Sequence, residues 1–179
     1  ITVSGGNYGW VIDQEKETDA LYQDIMDKKT EVREPVYEQE AQSRNTNDIG
    51  YSYIEIDLTR QRMVLYQNGS PIVDTGFAAS SSTPTGVYRL GDKQEAASVD
   101  FWMPFTDKLG IYGDSGLVIT GTDLSDETGD SGDFGSSEES VDFGSSDSWM
   151  STEGCIVLPE EQAQTIYQNV DSGLPVVIY

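Results

Sequence analysis

Ser151-Thr152-Glu153-Gly154-Cys155-Ile156-Val157-Leu158-Pro159-Glu160-Glu161 is the stretch on which the fold turns. Small and polar residues deliver the chain's one cysteine to the head of an apolar run. Pro159 and the two acids behind it then predict a helix start, with Pro at N1: its φ is pre-set for a first turn, and carboxylates suit the positive dipole end. Ala163, Ile166, Tyr167 and Val170 recur at i, i+3, i+4 and i+7, which gives the helix one apolar face. Asp171-Ser172-Gly173 stops it, and Leu174-Pro175-Val176-Val177-Ile178-Tyr179 reads as a closing strand.

Upstream, strand signals dominate. Tyr53-Ile54-Glu55-Ile56-Asp57-Leu58 alternates apolar and acidic residues, the period of a half-buried strand. Arg62-Met63-Val64-Leu65-Tyr66 is a second strand, and Asn68-Gly69 favours a type I′ turn into Ile72-Val73. Thr83-Pro84-Thr85-Gly86 is a turn before Val87-Tyr88-Arg89-Leu90. Phe101 to Phe105, Leu109 to Tyr112 and Leu117 to Thr120 continue the series. Short strands at regular spacing predict a mainly β, mostly antiparallel sandwich or barrel, with one packed helix near the C-terminus.

The first 47 residues differ. They are polar and charge-mixed, and Thr18 to Lys29 reads as an amphipathic helix with Leu21, Tyr22, Ile25 and Met26 on one face, capped by Asp13 or Thr18. Pro35 prevents its continuation, and Val36-Tyr37 opens an extended segment. A loop-like linker follows over residues 43–50. The expected organisation is therefore a small α+β accessory segment over 1–47 and a β domain over 51–179.

Residues 122–148 form an acidic, Ser/Gly-rich insertion in that domain. It carries a near-repeat, Asp133-Phe134-Gly135-Ser136-Ser137-Glu138 and Asp142-Phe143-Gly144-Ser145-Ser146-Asp147. A solvated acidic loop is the expectation. Calcium at Asp123, Asp126, Asp130 and Asp133 is the alternative, although their spacing departs from the EF-hand pattern. No other metal and no cofactor is expected.

Composition narrows the chemistry. Among 179 residues, 32 acids oppose 10 bases, for a formal charge of −22, and there is no histidine. Residues 1–108 hold all ten bases, whereas 109–179 hold 14 acids and no Lys or Arg. Nucleic-acid binding and docking on an anionic membrane surface are excluded, because both need clustered cations. Histidine metal sites and Ser-His-Asp or Cys-His catalysis in their usual form are excluded too. One cysteine allows no intrachain disulfide. No apolar run reaches the ~18 residues that would cross a bilayer. The chain opens on Ile1-Thr2-Val3 without a signal peptide, as expected of a mature or excised fragment.

The order of these motifs resembles the catalytic domain of the L,D-transpeptidase (YkuD) family. That family reads [S/T]-H-G-C followed by an apolar residue and then usually Arg or Asn, where this chain has Thr152-Glu153-Gly154-Cys155-Ile156-Val157. The strand Tyr53 to Thr59 with Asn68-Gly69 resembles the family's first hairpin. Thr83-Pro84-Thr85-Gly86-Val87-Tyr88 is similar to its T-P-x-G-x-[FY] turn, and Val99 to Phe105 to its "YWMPF" strand. Residues 1–47 are similar to the end of the peptidoglycan-binding module that precedes this domain in Gram-positive relatives. The resemblance implies a YkuD-type β-sandwich, peptidoglycan stem peptides as partner, and an extracellular or cell-wall location in a Gram-positive bacterium, with any membrane anchor outside this chain. It also implies cysteine acyl transfer: a thiolate attacks a stem-peptide carbonyl, and an acceptor amine resolves the thioester.

Carried over residue by residue, the resemblance makes Cys155 the nucleophile position. Gly154 and Cys155 supply oxyanion-hole amides, and Thr152 matches [S/T]. Glu153 takes the place of the motif histidine, where some relatives carry Lys; if buried, it could substitute as a base. Val157 replaces the Arg or Asn. The general-base histidine falls on Tyr112 or on Thr120, since Gly110-Ile111-Tyr112-Gly113 and Val118-Ile119-Thr120-Gly121 both align. Trp102 and Phe105 are candidates to line a substrate groove. Neither base candidate can accept a thiol proton near neutral pH, and the one-sign acidic field around Cys155 disfavours a thiolate. The remaining help is the helix starting near Pro159, partly offset by Glu160 and Glu161. Two readings follow: a transpeptidase-like cross-linker, or a non-catalytic wall-binding protein on the same fold.

Overall fold

In a computed structural model the structure describes residues 3–96, 99–119 and 153–179. In chain order the elements are β1 (Val11–Ile12), α1 (Gln14–Met26), β2 (Tyr37–Gln39), β3 (Tyr53–Asp57), β4 (Arg62–Gln67), β5 (Ser70–Gly76), β6 (Ala78–Ala79), β7 (Gly86–Arg89), β8 (Gln94–Ala96), β9 (Val99–Pro104), β10 (Gly110–Asp114), β11 (Ile156–Pro159), α2 (Glu160–Asn169) and β12 (Pro175–Ile178). Mostly strands with a helix near the C-terminus is what the sequence pattern predicts.

Among the described residues the strands form two five-stranded sheets, ordered β5-β4-β3-β12-β7 and β6-β11-β10-β9-β8, with β1 and β2 paired apart. The hairpin β4-β5 and its Asn68-Gly69 turn, with φ +50° and +81°, match the expected type I′ geometry. Most neighbouring strands are antiparallel, as expected, and each sheet also holds one parallel pair. β12 lies parallel to β3, and β11 lies parallel to β10. The reason is connectivity. α2 carries the chain from β11 in one sheet to β12 in the other, and the members of each parallel pair are far apart in sequence, as parallel neighbours require.

The alternation in β3 sends Ile54 and Ile56 into the core, where they meet Met63, Leu65, Val176 and Ile178. α2 seals the same core with Ala163 and Ile166, both fully buried. Burying an Ile side chain contributes about 2–3 kcal/mol, so these residues anchor both sheets. The proline is placed differently from expectation. Pro159 ends β11 and sits at the N-cap of α2, so the helix begins at Glu160. Leu117 to Ile119 are not in a strand, and Thr120 lies outside the described residues. A turn after Asp114, closed by the Leu117 N–H donating to the Asp114 carbonyl, ends β10 before a new strand can pair.

In the N-terminal segment α1 starts at Gln14, four residues before the expected Thr18. Asp13 is the cap, accepting from the Lys16 N–H at 3.0 Å. Its apolar face is not buried: Leu21, Tyr22, Ile25 and Met26 are all exposed. The segment docks on the sheet further upstream. The Val87 N–H donates to the Gly5 carbonyl, and the Tyr8 N–H to the Val87 carbonyl. A Cβ on Gly6 would lie 1.8 Å from the Val87 carbonyl oxygen, and one on Gly86 would lie 2.8 Å from the Gly5 carbon. Only glycines permit this approach.

Candidate active site

The two faces of the second sheet do different things. Met103, Ile111, Ile156 and Leu158 point into the main core. Val99, Trp102, Tyr112 and Cys155 form a separate buried cluster, with Leu109 and Val157 packed against it. Alternation explains Tyr112 beside Ile111 and Trp102 beside Met103. It does not explain Val99 and Trp102, which lie three apart yet share a face. The β9–β10 register slips by one residue between the pairs Ile111↔Met103 and Gly113↔Asp100, and Phe101 has φ +59°. A bulge at Phe101 therefore brings both side chains to the cysteine side.

Cys155 occupies the residue before β11, so the parallel pairing of β11 with β10 sets it beside Gly110 and Tyr112. It is 1% exposed. Burial pushes its thiol above the ordinary value, opposed by the Gly110 N–H that donates to the sulfur. Tyr112 is 2% exposed, with its ring centroid 6.3 Å from that of Trp102. Its phenol is pushed up to about 12, by burial first and then by the charges on Cys155 and Asp114. Of the two base candidates the structure thus brings Tyr112 to the cysteine. Thr120 and Thr152 lie outside the described residues, as does the acidic insertion with its calcium candidates Asp123, Asp126, Asp130 and Asp133.

Several sequence expectations change here. Glu153 is exposed, so the burial that a substitute base requires is missing. Trp102 and Phe105 are 0% and 1% exposed, so both are chiefly packing residues, and both also border a surface cavity with Arg89, Gln94 and Pro104. Phe105 belongs to the main core, against Tyr88 at 5.3 Å. The dipole of α2 is remote, because the four residues of β11 separate it from Cys155 by ~13 Å at strand rise. A helix end acts strongly only within its own turn. Among the described residues no group of His, Cys, Asp or Glu could hold a metal. No helix there is long and apolar enough to cross a membrane.

Gly154 is the conformational key to the turn. It has φ +91°, and a Cβ there would press to 3.2 Å on the Ser82 carbonyl oxygen and 3.3 Å on Leu109. Its N–H, an expected oxyanion donor, gives its hydrogen bond to Ser80 Oγ at 2.9 Å. Ser80 was missed by motif reading. The antiparallel pairs Ala79↔Ile156 and Ala78↔Val157 place the next residue, Ser80, opposite the Gly154-Cys155 turn. That signal exists only once strand pairing is known.

Among the described residues, the side chain that the structure clusters with the cysteine and that aligns with a base is a phenol. A neutral phenol offers no basic lone pair of useful strength, and a buried thiol keeps its proton at neutral pH.

The catalytic domain of L,D-transpeptidases matches residues 51–178. The crystal structure of an Enterococcus faecium L,D-transpeptidase, a cysteine-to-serine mutant, is 25% identical, with TM-score 0.67; the likeness covers 100% of this chain and 69% of that one. The avibactam carbamoyl enzyme of Ldtfm is 25% identical, with TM-score 0.66, covering 100% of this chain and 68% of that one. Comparison with curated protein sequences finds no match.

Proposed function

Because this chain belongs to the L,D-transpeptidase catalytic domain family over residues 51–178, and so to the machinery of peptidoglycan cross-linking, we propose that it engages stem peptides at the Cys155 end of its second sheet while keeping the thiol unactivated at neutral pH. The reading is of a wall-peptide-binding member of the family, working outside the cytoplasm, whose acyl transfer is very slow or absent. One observation carries it: Tyr112, one of the two residues that align with the family's base, packs as a phenol in the buried cluster with Cys155. A proton-accepting base contributes about 10²–10⁴ in rate, and its loss alone would take turnover to a small residue.

A slow cross-linker is the second reading. It is favoured by the retained Gly154-Cys155 turn, which still presents a thiol at the head of β11. Intact-mass analysis after incubation with a stem tetrapeptide, avibactam or a carbapenem separates the two. Avibactam is chosen because Ldtfm forms a carbamoyl enzyme with it. Stem-peptide binding by calorimetry without an adduct at about pH 7 supports the binding reading. A stoichiometric adduct on Cys155 within minutes at that pH establishes the cross-linker instead, and no peptide binding at all overturns both.

A further inference from the structure

We infer that Ser80 is a latch on the acyl site: its hydroxyl fills the oxygen position served by the Gly154 amide, and a substrate carbonyl must displace it. The inference rests on the proposed function in one respect, that the Gly154 amide is where a stem-peptide carbonyl would dock.

Four observations carry it. The Gly154 N–H donates to Ser80 Oγ at 2.9 Å, so a hydroxyl oxygen already occupies the place of an incoming carbonyl oxygen. Ser80 Oγ lies 2.6 Å from Ser82 Oγ, so on leaving Gly154 it keeps a hydrogen-bond partner. Gly154 is buried but Ser80 and Ser82 are exposed, which puts the occupant at the solvent side, where withdrawal needs no core rearrangement. Lastly, Thr83 is 6% exposed and its Oγ1 has no hydrogen-bond partner among the described residues. A buried hydroxyl in that state costs free energy, so a second arrangement of this loop that satisfies it has a reason to exist.

Closed and open states then differ by a few defined contacts. In the closed state Ser80 bridges Gly154 and Ser82, and the Thr83 N–H holds the Ser80 carbonyl at 3.1 Å. In the open state Ser80 turns to Ser82 alone and the Gly154 N–H faces the ligand. Ser80 is on this account a positioning residue, since it makes and breaks no substrate bond.

The test combines two readouts on the whole chain. Amide hydrogen exchange at Gly154 is compared in the wild type, Ser80→Ala, Ser80→Thr and Ser82→Ala. Avibactam carbamoylation of Cys155 is followed at about pH 9.5, above the ordinary thiol value. Iodoacetamide, which needs no oxyanion donor, gives the control rate. Ser80→Ala should speed Gly154 exchange and carbamoylation by about five- to tenfold, the size of one neutral hydrogen bond, with alkylation changed far less. Ser80→Thr should restore slow exchange, and Ser82→Ala should slow carbamoylation by removing the alternative partner. Unchanged Gly154 exchange in Ser80→Ala overturns the latch, as does faster exchange with unchanged carbamoylation. Failure of the stem-peptide reading looks different: no peptide binding in any variant, with the Gly154 exchange pattern still reporting on the latch.

Discussion

At the scale of single residues, Cys155 and Tyr112 form one chemical unit. Each prefers its neutral form because the cluster with Val99 and Trp102 excludes water, and each would burden the other if it ionised. The consequence for stability has a definite sign. The Tyr112 phenol lies at about 12 in the folded chain against 10.0 ordinarily, so folding favours the protonated form. Its contribution is complete below about pH 10 and is lost as pH rises toward 12, at up to about 1.4 kcal/mol per pH unit. Urea midpoints measured at about pH 9 and pH 11.5 should therefore fall more steeply in the wild type than in Tyr112→Phe. Equal slopes would mean that Tyr112 titrates as an exposed phenol.

At the scale of elements, α2 shows how a helix without basic residues in its last turn is closed. Lys93, from the loop before β8, donates from Nζ to the carbonyls of Tyr167 and Val170 at 2.8 and 2.9 Å, and lies 4.8 Å over the Tyr167 ring. Lys93→Met should lower stability by about 1–2 kcal/mol in urea denaturation, since charged hydrogen bonds to helix-end carbonyls are lost. This closure was not legible in the sequence, because Lys93 and Val170 are 77 positions apart. Strands were legible wherever one face is wet and the other buried, as in Tyr53-Ile54-Glu55-Ile56. The helix over Glu160–Asn169 was legible from its 3.6-residue period. Parallel pairing was not, since β11 and β12 carry apolar runs that fit either direction. The bulge at Phe101 left no mark either: no glycine stands there to signal a positive φ.

For the whole molecule, the question is how the N-terminal segment and the β domain hold together. The contact is backbone on backbone, at Gly5-Gly6 against Gly86-Val87, with Tyr8 reaching the Asp48 carbonyl at 2.9 Å. Gly6→Ala cannot keep that approach, because its Cβ would collide with the Val87 carbonyl. Limited proteolysis should then cut the variant between residues 3 and 50 while residues 51–119 and 153–179 stay protected as in the wild type. Charge is the other molecular property. A formal charge of −22, with no Lys or Arg after Lys108, gives the cysteine's half of the chain no basic side chain to favour a thiolate. The missing histidine was legible from composition. That Tyr112, one of the two residues aligning with it, packs in the cysteine's own cluster required the fold. Both facts converge on the ionisation of Cys155, which the pH dependence of its alkylation by iodoacetamide reads directly. The account predicts a rate that climbs through about pH 9 without levelling in the wild type, and a lower midpoint in Tyr112→His, where a base returns. A plateau below about pH 8 in the wild type would contradict it, because the thiol would then be activated by a group this account does not contain.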